Sequence, residues 1–284
     1  MIYIFIPAFN EQESIKSLIN STITTLKEAN LNFKILVIND GSTDRTESIL
    51  EDFKEDQHFE LINHHTNKGL GETERNGFEY LAEISNNEDY IVRVEGDDTH
   101  SPEFILKIIN KLDEGFDVVN TSRFAKGGSQ IGLSFYRKLL SYGANIFMKI
   151  LLRVKNVKDF SCGYRGYRAQ VLKDAISIYG NNFLQLRGLG FSATLEILIK
   201  LKMIGCIFAE VPFELRYDKK LSKSKMVGSI TMFGYFVLAV LYHWPFGGWR
   251  VQYQKIRKNF KKNRLEILSK NTQTGFEKFS QSKY

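Results

Sequence analysis

Three carboxylates follow a short apolar run in the first half of the chain. The run YIVRV at residues 90–94 is succeeded by Glu95, Gly96, Asp97 and Asp98. Side chains two positions apart on an extended strand point the same way, so Glu95 and Asp97 can converge on one small, hard cation. Mg²⁺ and Mn²⁺ favour oxygen ligands, and Mg²⁺ is commonly held by one or two carboxylates together with substrate phosphates. The first hypothesis is therefore a metal-assisted nucleotide-sugar site.

The same residues also fit an ordinary acidic turn that precedes a helix. In that interpretation Asp98 or Thr99 is the N-cap, whose side-chain oxygen accepts a hydrogen bond from the first helical turn. Both interpretations stay open on this stretch alone. The elements that surround it have to decide between them.

Short apolar runs alternate with helical patterns through the first part of the chain. The predicted strands cover residues 2–6, 33–38, 59–62, 90–94 and 117–120. Amphipathic helices are predicted in the intervals between them. Strict alternation of strand and helix is typical of an α/β fold with a largely parallel sheet and helices on both faces.

Ligands of such sheets bind beyond the carboxyl ends of the strands. Four loops follow predicted strand ends, at residues 7–11, 40–42, 95–98 and 121–123. All four are expected to open onto one edge of the sheet. Acidic groups, a metal position and an arginine would meet there, a combination that favours a nucleotide-diphosphate pocket over a random surface.

Beyond residue 125 the pattern is less regular. We predict a long helix over 134–152, strand and turn structure over 159–168, an amphipathic helix over 191–204 and a strand over 206–211. A strongly basic loop follows at residues 216–225. Loops of this kind can close over phosphates, although many are only solvated connectors.

The net charge of +7 is concentrated at the C-terminal end. The residues from Arg250 onward hold ten Lys or Arg and two Glu, so the rest of the chain is close to neutral. A near-neutral domain without a nucleic-acid-binding motif predicts no nucleic-acid partner. The basic tail suits an anionic lipid surface, or it is simply solvated.

Cysteine usage and the N-terminus indicate the compartment. Cys162 and Cys206 lie far apart without metal-ligand spacing, which predicts a reducing environment and no disulfide. The first residues, MIYIFIP, lack the basic region and cleavage site of a signal peptide. These features predict a cytoplasmic protein.

Residues 230–244 form the most apolar segment of the chain. A membrane-spanning helix needs about 20 predominantly apolar residues, so this segment is short for one. Its aromatic residues suit a membrane interface, and a core or dimer helix is the alternative. The predicted organisation is an α/β domain over 1–226, an apolar, membrane-interfacial helix over 227–249, and a basic, partly disordered tail over 250–284.

Several motifs occur in an order that resembles the family 2 glycosyltransferases. They are IPAFNE at 6–11, NDGSTD at 39–44, NKGLG at 67–71, RNG at 75–77 and EGD at 95–97, where that family has its DxD motif. A closer similarity is to the dolichol-phosphate mannosyltransferase group of polyprenyl-phosphate sugar transferases, and it covers about residues 2–226. It is carried by DDTHSPE at 97–103, SRF at 122–124, GG at 127–128, DFSCGYRGYR at 159–168 and SKSKM at 222–226.

This resemblance implies a GT-A fold and an inverting transfer of a sugar from GDP-mannose or a UDP-hexose to a polyprenyl phosphate. It implies Mg²⁺ or Mn²⁺ as cofactor and peripheral association with the cytoplasmic, anionic face of a membrane. The implied catalytic residues are Asp97, Arg123 and Arg137, and the implied metal ligands are Glu95 and Asp97. The implied donor-binding residues are Pro7, Ala8, Asn10, Glu11, Asp40, Lys68, Gly69, Glu95, Gly96 and Asp97. The implied acceptor or phosphate-binding residues are Arg123, Arg137, Ser141, Arg216, Ser224 and Lys225.

Two positions depart from the family pattern. Glu95 is one methylene longer than the usual aspartate, and Thr99 stands where a glutamine is expected. A non-catalytic nucleotide-sugar-binding relative therefore remains an alternative. So does a transferase that acts on a glycan or lipid-linked sugar hydroxyl, which needs a general base. Residues 187–196 contain no Glu-Asp pair for that task, only Glu196, whereas a lipid phosphate is already anionic and needs no base.

Overall fold

Strands and helices alternate in the computed structural model, which describes residues 1–220 and 228–254. The strands are β1 (Ile2–Ala8), β2 (Phe33–Asn39), β3 (Phe59–Asn63), β4 (Tyr90–Arg93), β5 (Val118–Ser122), β6 (Ser129–Ile131), β7 (Arg165–Arg168), β8 (Phe208–Pro212) and β9 (Glu214–Arg216). The helices are α1 (Ile15–Glu28), α2 (Thr46–Glu51), α3 (Leu70–Ile84), α4 (Glu103–Asp113), α5 (Phe135–Leu152), α6 (Ala169–Tyr179), α7 (Ser192–Ile204), α8 (Gly228–His243) and α9 (Gly248–Gln252).

Seven strands form one sheet in the order β3-β2-β1-β4-β7-β5-β8. All neighbouring pairs are parallel except those of β7, which runs antiparallel to both β4 and β5. The prediction of a largely parallel sheet is confirmed. The sequence pattern did not predict the reversed β7, nor the small second sheet in which β6 pairs with β9.

Helices cover both faces of the sheet, as predicted. Side chains alternate between the faces of a strand, so Tyr3 and Phe5 of β1 join one core while Ile4 and Ile6 join the other. The first core receives α3, α6 and α7, and the second receives α1, α2 and α4. The central strands β1 and β2 are thereby buried on both faces, which explains their largely apolar sequences.

Helix α7 differs from the amphipathic helix that was predicted. All of its residues except Lys202 are buried, including Glu196 and Lys200. Helices α3, α6 and α8 pack around it. A helix that is surrounded in this way has no solvent-exposed face and is therefore not amphipathic. Its two internal charges are accommodated because Lys200 Nζ pairs with Glu196 Oε1 inside the core.

Helix α8 buries one stripe and exposes the other. Tyr235, Leu238 and Tyr242 join the core beside α7. The stretch Gly228–Gln252, 25 residues long, is by length and composition apolar enough to cross a membrane. Only 28% of its most apolar 18-residue part is buried within the protein, which argues against a simple core helix. The basic tail beyond residue 254 lies outside the described residues.

Candidate active site

Three of the four predicted loops are tied together at the carboxyl edge of the sheet. Backbone N–H of Asp40, after β2, donates to the carbonyl of Ala8 at the end of β1 (2.8 Å). Asn10 donates its backbone N–H to Ser42 Oγ (2.9 Å). Ser14 Oγ donates to the carbonyl of Gly96 in the acidic turn (3.0 Å). These bonds set the loops after β1, β2 and β4 around one depression.

The acidic turn gathers ligands of the kind that divalent cations take. Three side chains, those of Glu95, Asp97 and His100, each place one oxygen or nitrogen atom here. These three atoms lie within 4.8 Å of one another. Two carboxylates at this spacing fit Mg²⁺ or Mn²⁺. His100 is also a packing residue, because its ring stacks on Phe213 with centroids 4.9 Å apart.

The interpretation of this turn as a helix cap is wrong. Helix α4 begins at Glu103 with Pro102 at its N-cap position, and no side chain caps it. Asp98 has φ of 55°, in the left-handed region, and lies four residues before that cap. Thr99 instead donates from Oγ1 to Asp97 Oδ1 (2.7 Å). The turn is therefore built to orient Asp97 and does not serve to start the helix.

Neighbouring cationic groups hold Asp97 in its ionised form. Burial alone would raise its pKa, but interactions with His100 and with Lys220 outweigh burial and hold the pKa well below its usual range. Lys220 Nζ donates a hydrogen bond to Asp97 Oδ2. For His100, burial lowers the pKa, but its interactions with Asp97, Cys162 and Glu95 together outweigh burial and raise the pKa to about 10. Asp97 is thus an anion that already attracts cations.

The predicted donor-binding residues around Asp40 lie together. Asp40 Oδ1 accepts the backbone N–H of Lys68 (2.9 Å) and Oδ2 accepts that of Gly69 (2.9 Å). His64 Nδ1, which the sequence did not suggest, lies 2.8 Å from Asp40 Oδ1. Asp40 therefore links the loop after β2 to the start of α3.

The remaining donor-binding candidates line the end of β1. Pro7 and Ala8 are buried strand residues beside β2. Asn10 has φ of 52°, and its Oδ1 accepts the backbone N–H of Thr43 (2.8 Å). Glu11 is 7% exposed and accepts a hydrogen bond from Ser14 Oγ (3.3 Å). These contacts shape the same depression from its other side.

The arginines predicted for the acceptor differ in availability. Arg123 forms a two-point pair with Asp159, through Nε (2.6 Å) and Nη2 (2.7 Å), and the Arg123 side chain is 11% exposed. Arg137 is exposed at the start of α5 and donates from Nη1 to the Tyr217 hydroxyl (2.9 Å). Of the two, Arg137 is the one that an incoming phosphate can reach.

The other predicted acceptor-binding residues are Ser141, Arg216, Ser224 and Lys225. Ser141 lies one turn along α5 from Arg137, and Arg216 pairs with Asp218 (2.8 Å). The backbone N–H of Arg216 donates to the carbonyl of Thr99 (3.3 Å), which links β9 to the acidic turn. Ser224 and Lys225 lie outside the described residues.

Glu196, the candidate base for a hydroxyl acceptor, is sequestered. It is fully buried, and its carboxylate accepts the backbone N–H groups of Gln185 (2.9 Å) and Leu186 (2.8 Å) as well as pairing with Lys200. A carboxylate engaged in this way is a structural element of α7. The geometry therefore gives no support to a base at this position.

The sequence profile of the family described as "Glycosyl transferase family 2" matches residues 3–176, which is more than half of the chain. The chain belongs to glycosyl transferase family 2. The resemblance that its motifs predicted is thereby confirmed, and EGD at 95–97 occupies the turn where the ligand cluster lies.

Similar proteins in this family include two lipid-phosphate sugar transferases. The chain is 32% identical over 235 residues to the dolichol-phosphate mannosyltransferase of Pyrococcus furiosus, covering 82% of this chain and 61% of that protein. It is 29% identical over 226 residues to the undecaprenyl-phosphate mannosyltransferase of Micrococcus luteus, covering 79% and 87% respectively. The chain thus spans less than two thirds of the length of the Pyrococcus protein.

A solved structure supports the fold. Glucosyl-3-phosphoglycerate synthase from Mycobacterium tuberculosis, crystallised with Mn²⁺, UDP and phosphoglyceric acid, is similar with a TM-score of 0.57 at 18% identity. The match covers 85% of this chain and 77% of that one. At this identity the likeness establishes the fold alone, and the predicted GT-A architecture is confirmed.

Proposed function

We propose that the protein is an inverting glycosyltransferase that moves a hexose from a nucleotide-diphosphate donor to a polyprenyl phosphate. The observation that carries this proposal is the convergence of the Glu95 and Asp97 carboxylates, beside His100, at the carboxyl edge of the sheet. It lies beside the loops after β1 and β2, where donors of parallel α/β sheets bind. The names of the two lipid-phosphate relatives favour mannose as the sugar.

Different residues are proposed to contact the base and ribose of the donor and to bind the cation at its diphosphate. Asp40, Lys68 and Gly69 would form the wall that meets the base and ribose, with Asn10 and Glu11 opposite. Glu95 and Asp97 would hold Mg²⁺ or Mn²⁺, which when bound neutralises charge on the departing nucleoside diphosphate. Displacement on the face opposite that leaving group inverts the anomeric carbon.

The acceptor is proposed to be a phosphate because the described residues offer an exposed arginine, whereas Glu196, the base predicted for a hydroxyl acceptor, is sequestered. Arg137 is exposed, and its guanidinium also lies 5.6 Å from the Tyr217 ring centroid. Planar guanidinium groups suit phosphate oxygens. A phosphate monoester is already an anion near neutral pH, so it can attack without giving up a proton. The burial of Glu196 removes the support for the hydroxyl-acceptor alternative.

A lipid acceptor also fits the exposed apolar surface. Along α5 the exposed large apolar side chains are Phe135, Tyr136, Leu139, Leu140, Tyr142, Ile146, Phe147 and Ile150. Along α8 they are Ile230, Met232, Phe233, Phe236 and Val240. A shallow, open groove of about 580 Å³ along the two helices is lined by residues that include Phe147, Phe236 and Trp244. Exposed apolar patches of this extent mark interaction surfaces.

The charges around this surface favour a membrane as the partner. Arg137 and Lys138 lie at the start of α5, and Lys149 and Arg153 lie at its end, all exposed. Cations flanking an apolar face suit an anionic bilayer surface, each being worth about 1 kcal/mol near the headgroups. We propose that α5 and α8 rest on the cytoplasmic face of a membrane and present the site to a lipid phosphate.

The donor can be identified by thermal unfolding. GDP, UDP, GDP-mannose and UDP-glucose are screened with and without Mn²⁺ on the whole chain. One nucleotide family should raise the unfolding temperature only when Mn²⁺ is present, because a ligand stabilises the state it binds. Asp97→Asn should abolish that metal-dependent increment. Stabilisation that is independent of Mn²⁺ and survives in Asp97→Asn would contradict the metal assignment.

A further inference from the structure

We propose that Arg93 is a positioning residue that fixes the orientation of Glu95 for cation and donor binding, an inference that rests on the proposed role of Glu95 and Asp97. Arg93 ends β4, two residues before Glu95, and is 2% exposed. Its Nη1 donates to Glu95 Oε1 (3.0 Å), and its Nη2 lies 3.1 Å from Glu74 Oε1. The guanidinium therefore joins a deep carboxylate to one of the proposed ligands.

Arg93 is the charged residue of an otherwise apolar, buried stretch of chain. Ile91 and Val92 of β4, and Val94 directly after it, are fully buried and apolar. Burying an arginine takes its charge out of water, and replacing a buried ion pair by packed apolar groups is often neutral or stabilising. Arg93 Nε has no hydrogen-bond partner among the described residues, which adds to that cost. A role that only a forked donor can perform accounts for its presence.

The loop before β7 is shaped around the Arg93–Glu95 contact. A Cβ at Gly163 would come within 2.2 Å of Arg93 Nη1 and 2.8 Å of Glu95 Oε1. Any residue with a side chain would therefore displace one or both groups. The glycine leaves room for the pair, which is an observation independent of the hydrogen bond itself.

Glu74 balances the charge of Arg93 beneath the site. It lies on α3, is 1% exposed, and its two oxygens accept from Thr194 Oγ1 at 3.2 and 3.3 Å. Burial raises the pKa of Glu74, and the charge of Arg93 offsets part of that rise. Because Glu74 pairs with Nη2, the guanidinium of Arg93 is fixed in position, and Nη1 is directed at Glu95.

This arrangement gives the longer side chain of Glu95 a defined position. Glutamate has one more rotatable bond than the aspartate usual at this position, and an untethered side chain loses more rotamer freedom on binding a cation. Arg93 fixes one oxygen in advance and leaves the carboxylate on the side of Asp97 and His100. Partners that orient a ligand in this way contribute about 10–100-fold to metal affinity.

The test measures Mn²⁺ binding alone, by electron paramagnetic resonance of the free ion, on the full chain without any donor. The charge-balanced variant Arg93→Met/Glu74→Gln removes the tether without leaving a buried unpaired charge. We expect its dissociation constant for Mn²⁺ to rise about 10–100-fold. Lys111→Met/Glu114→Gln, which removes an exposed ion pair on α4 and its end, is the matched control and should bind as the wild type does.

An unchanged or lower dissociation constant in Arg93→Met/Glu74→Gln would overturn the inference, because a purely structural arginine would only have repelled the cation. If that variant does not fold, Arg93→Lys keeps the charge, loses the fork, and should still weaken Mn²⁺ binding. Asp97→Asn in the same titration tests the proposed site separately. Loss of binding there with no effect at Arg93 defeats only the positioning role, whereas intact binding there defeats the site itself.

Discussion

Lys220 donates a hydrogen bond from its ammonium to Asp97 Oδ2, although 123 positions separate the two residues in the sequence. Both side chains are largely buried, at 11% and 10% exposure. The last described cation of the basic loop thus lies against the carboxylate on which the proposed site depends. A divalent cation held by Asp97, as proposed, would compete with Lys220 for this oxygen atom.

Removing Lys220 should therefore strengthen cation binding in the absence of donor. We expect Lys220→Met to lower the dissociation constant for Mn²⁺ several-fold, because a competing charge is lost from a poorly solvated position. Lys219→Met, at the exposed neighbouring residue, is the control and should leave it unchanged. Titration of the free ion measures both. Weaker binding in Lys220→Met would mean that the lysine supports the site and does not compete for it.

The Arg123–Asp159 pair should be a structural anchor. Asp159 is fully buried, and Asp159→Asn leaves the Arg123 guanidinium without its counter-charge, a change that costs about 3–5 kcal/mol of unfolding free energy. Burial would raise the pKa of Asp159, but Arg123 more than offsets it, so the pKa lies below its usual value. Urea unfolding at neutral pH measures the difference between wild type and variant.

The pH dependence of that difference has a definite sign. A depressed carboxyl pKa stabilises the folded state above the unfolded pKa of about 3.9, and the stabilisation is lost as the pH falls through the folded value. Wild type and Asp159→Asn should therefore converge in strong acid and differ fully at neutral pH. A difference that stays constant from neutral to acid would show that the carboxylate charge contributes nothing.

Glu196→Gln should leave turnover by the folded protein intact. The variant should lose about 3 kcal/mol of unfolding free energy, because Lys200 keeps a buried charge without its partner. Glu196→Gln/Lys200→Met should recover much of that loss. Transfer activity is measured per folded molecule for both variants. Abolished transfer in a folded Glu196→Gln protein would restore the hydroxyl-acceptor alternative with Glu196 as its base.

The exposed face of α5 should be needed for lipid binding. Leu139→Asp and Ile146→Asp each place a charge on that face, where both side chains are exposed. Sedimentation with anionic vesicles should weaken by about 10-fold per variant, because partial burial of one such side chain is worth about 1.5 kcal/mol. Ile84→Asp, at an exposed apolar residue on α3, is the control and should sediment like the wild type. Equal loss in all three variants would point to non-specific adhesion.

The sequence predicted the parts of the site that depend on local spacing. Glu95 and Asp97 converge because they follow one strand, and the loops meet because parallel strands end at one edge. Arg93 and Glu95 are also two positions apart, so their side chains lie on the same side of the chain and contact each other. The run YIVRV contains this spacing, but it predicted only a buried strand.

Long-range partners could not be predicted in this way. Asp159 pairs with Arg123 from 36 positions along the chain, and Lys220 pairs with Asp97 from 123 positions away. No periodicity in the sequence encodes either pairing. Burial of α7 was missed for a related reason, since it depends on three helices packing around it. Glu196 is buried because these helices surround α7. The sequence pattern of α7 alone does not predict this burial.

The most direct test of the central claim is single-turnover transfer from radiolabelled GDP-mannose, with UDP-glucose in parallel, to a polyprenyl phosphate in anionic vesicles. We predict a radiolabelled lipid product that forms with Mn²⁺ or Mg²⁺, disappears on chelation, and is lost in Asp97→Ala. Product formation that continues unchanged in Asp97→Ala, or label that passes only to sugar hydroxyl acceptors, would contradict the account.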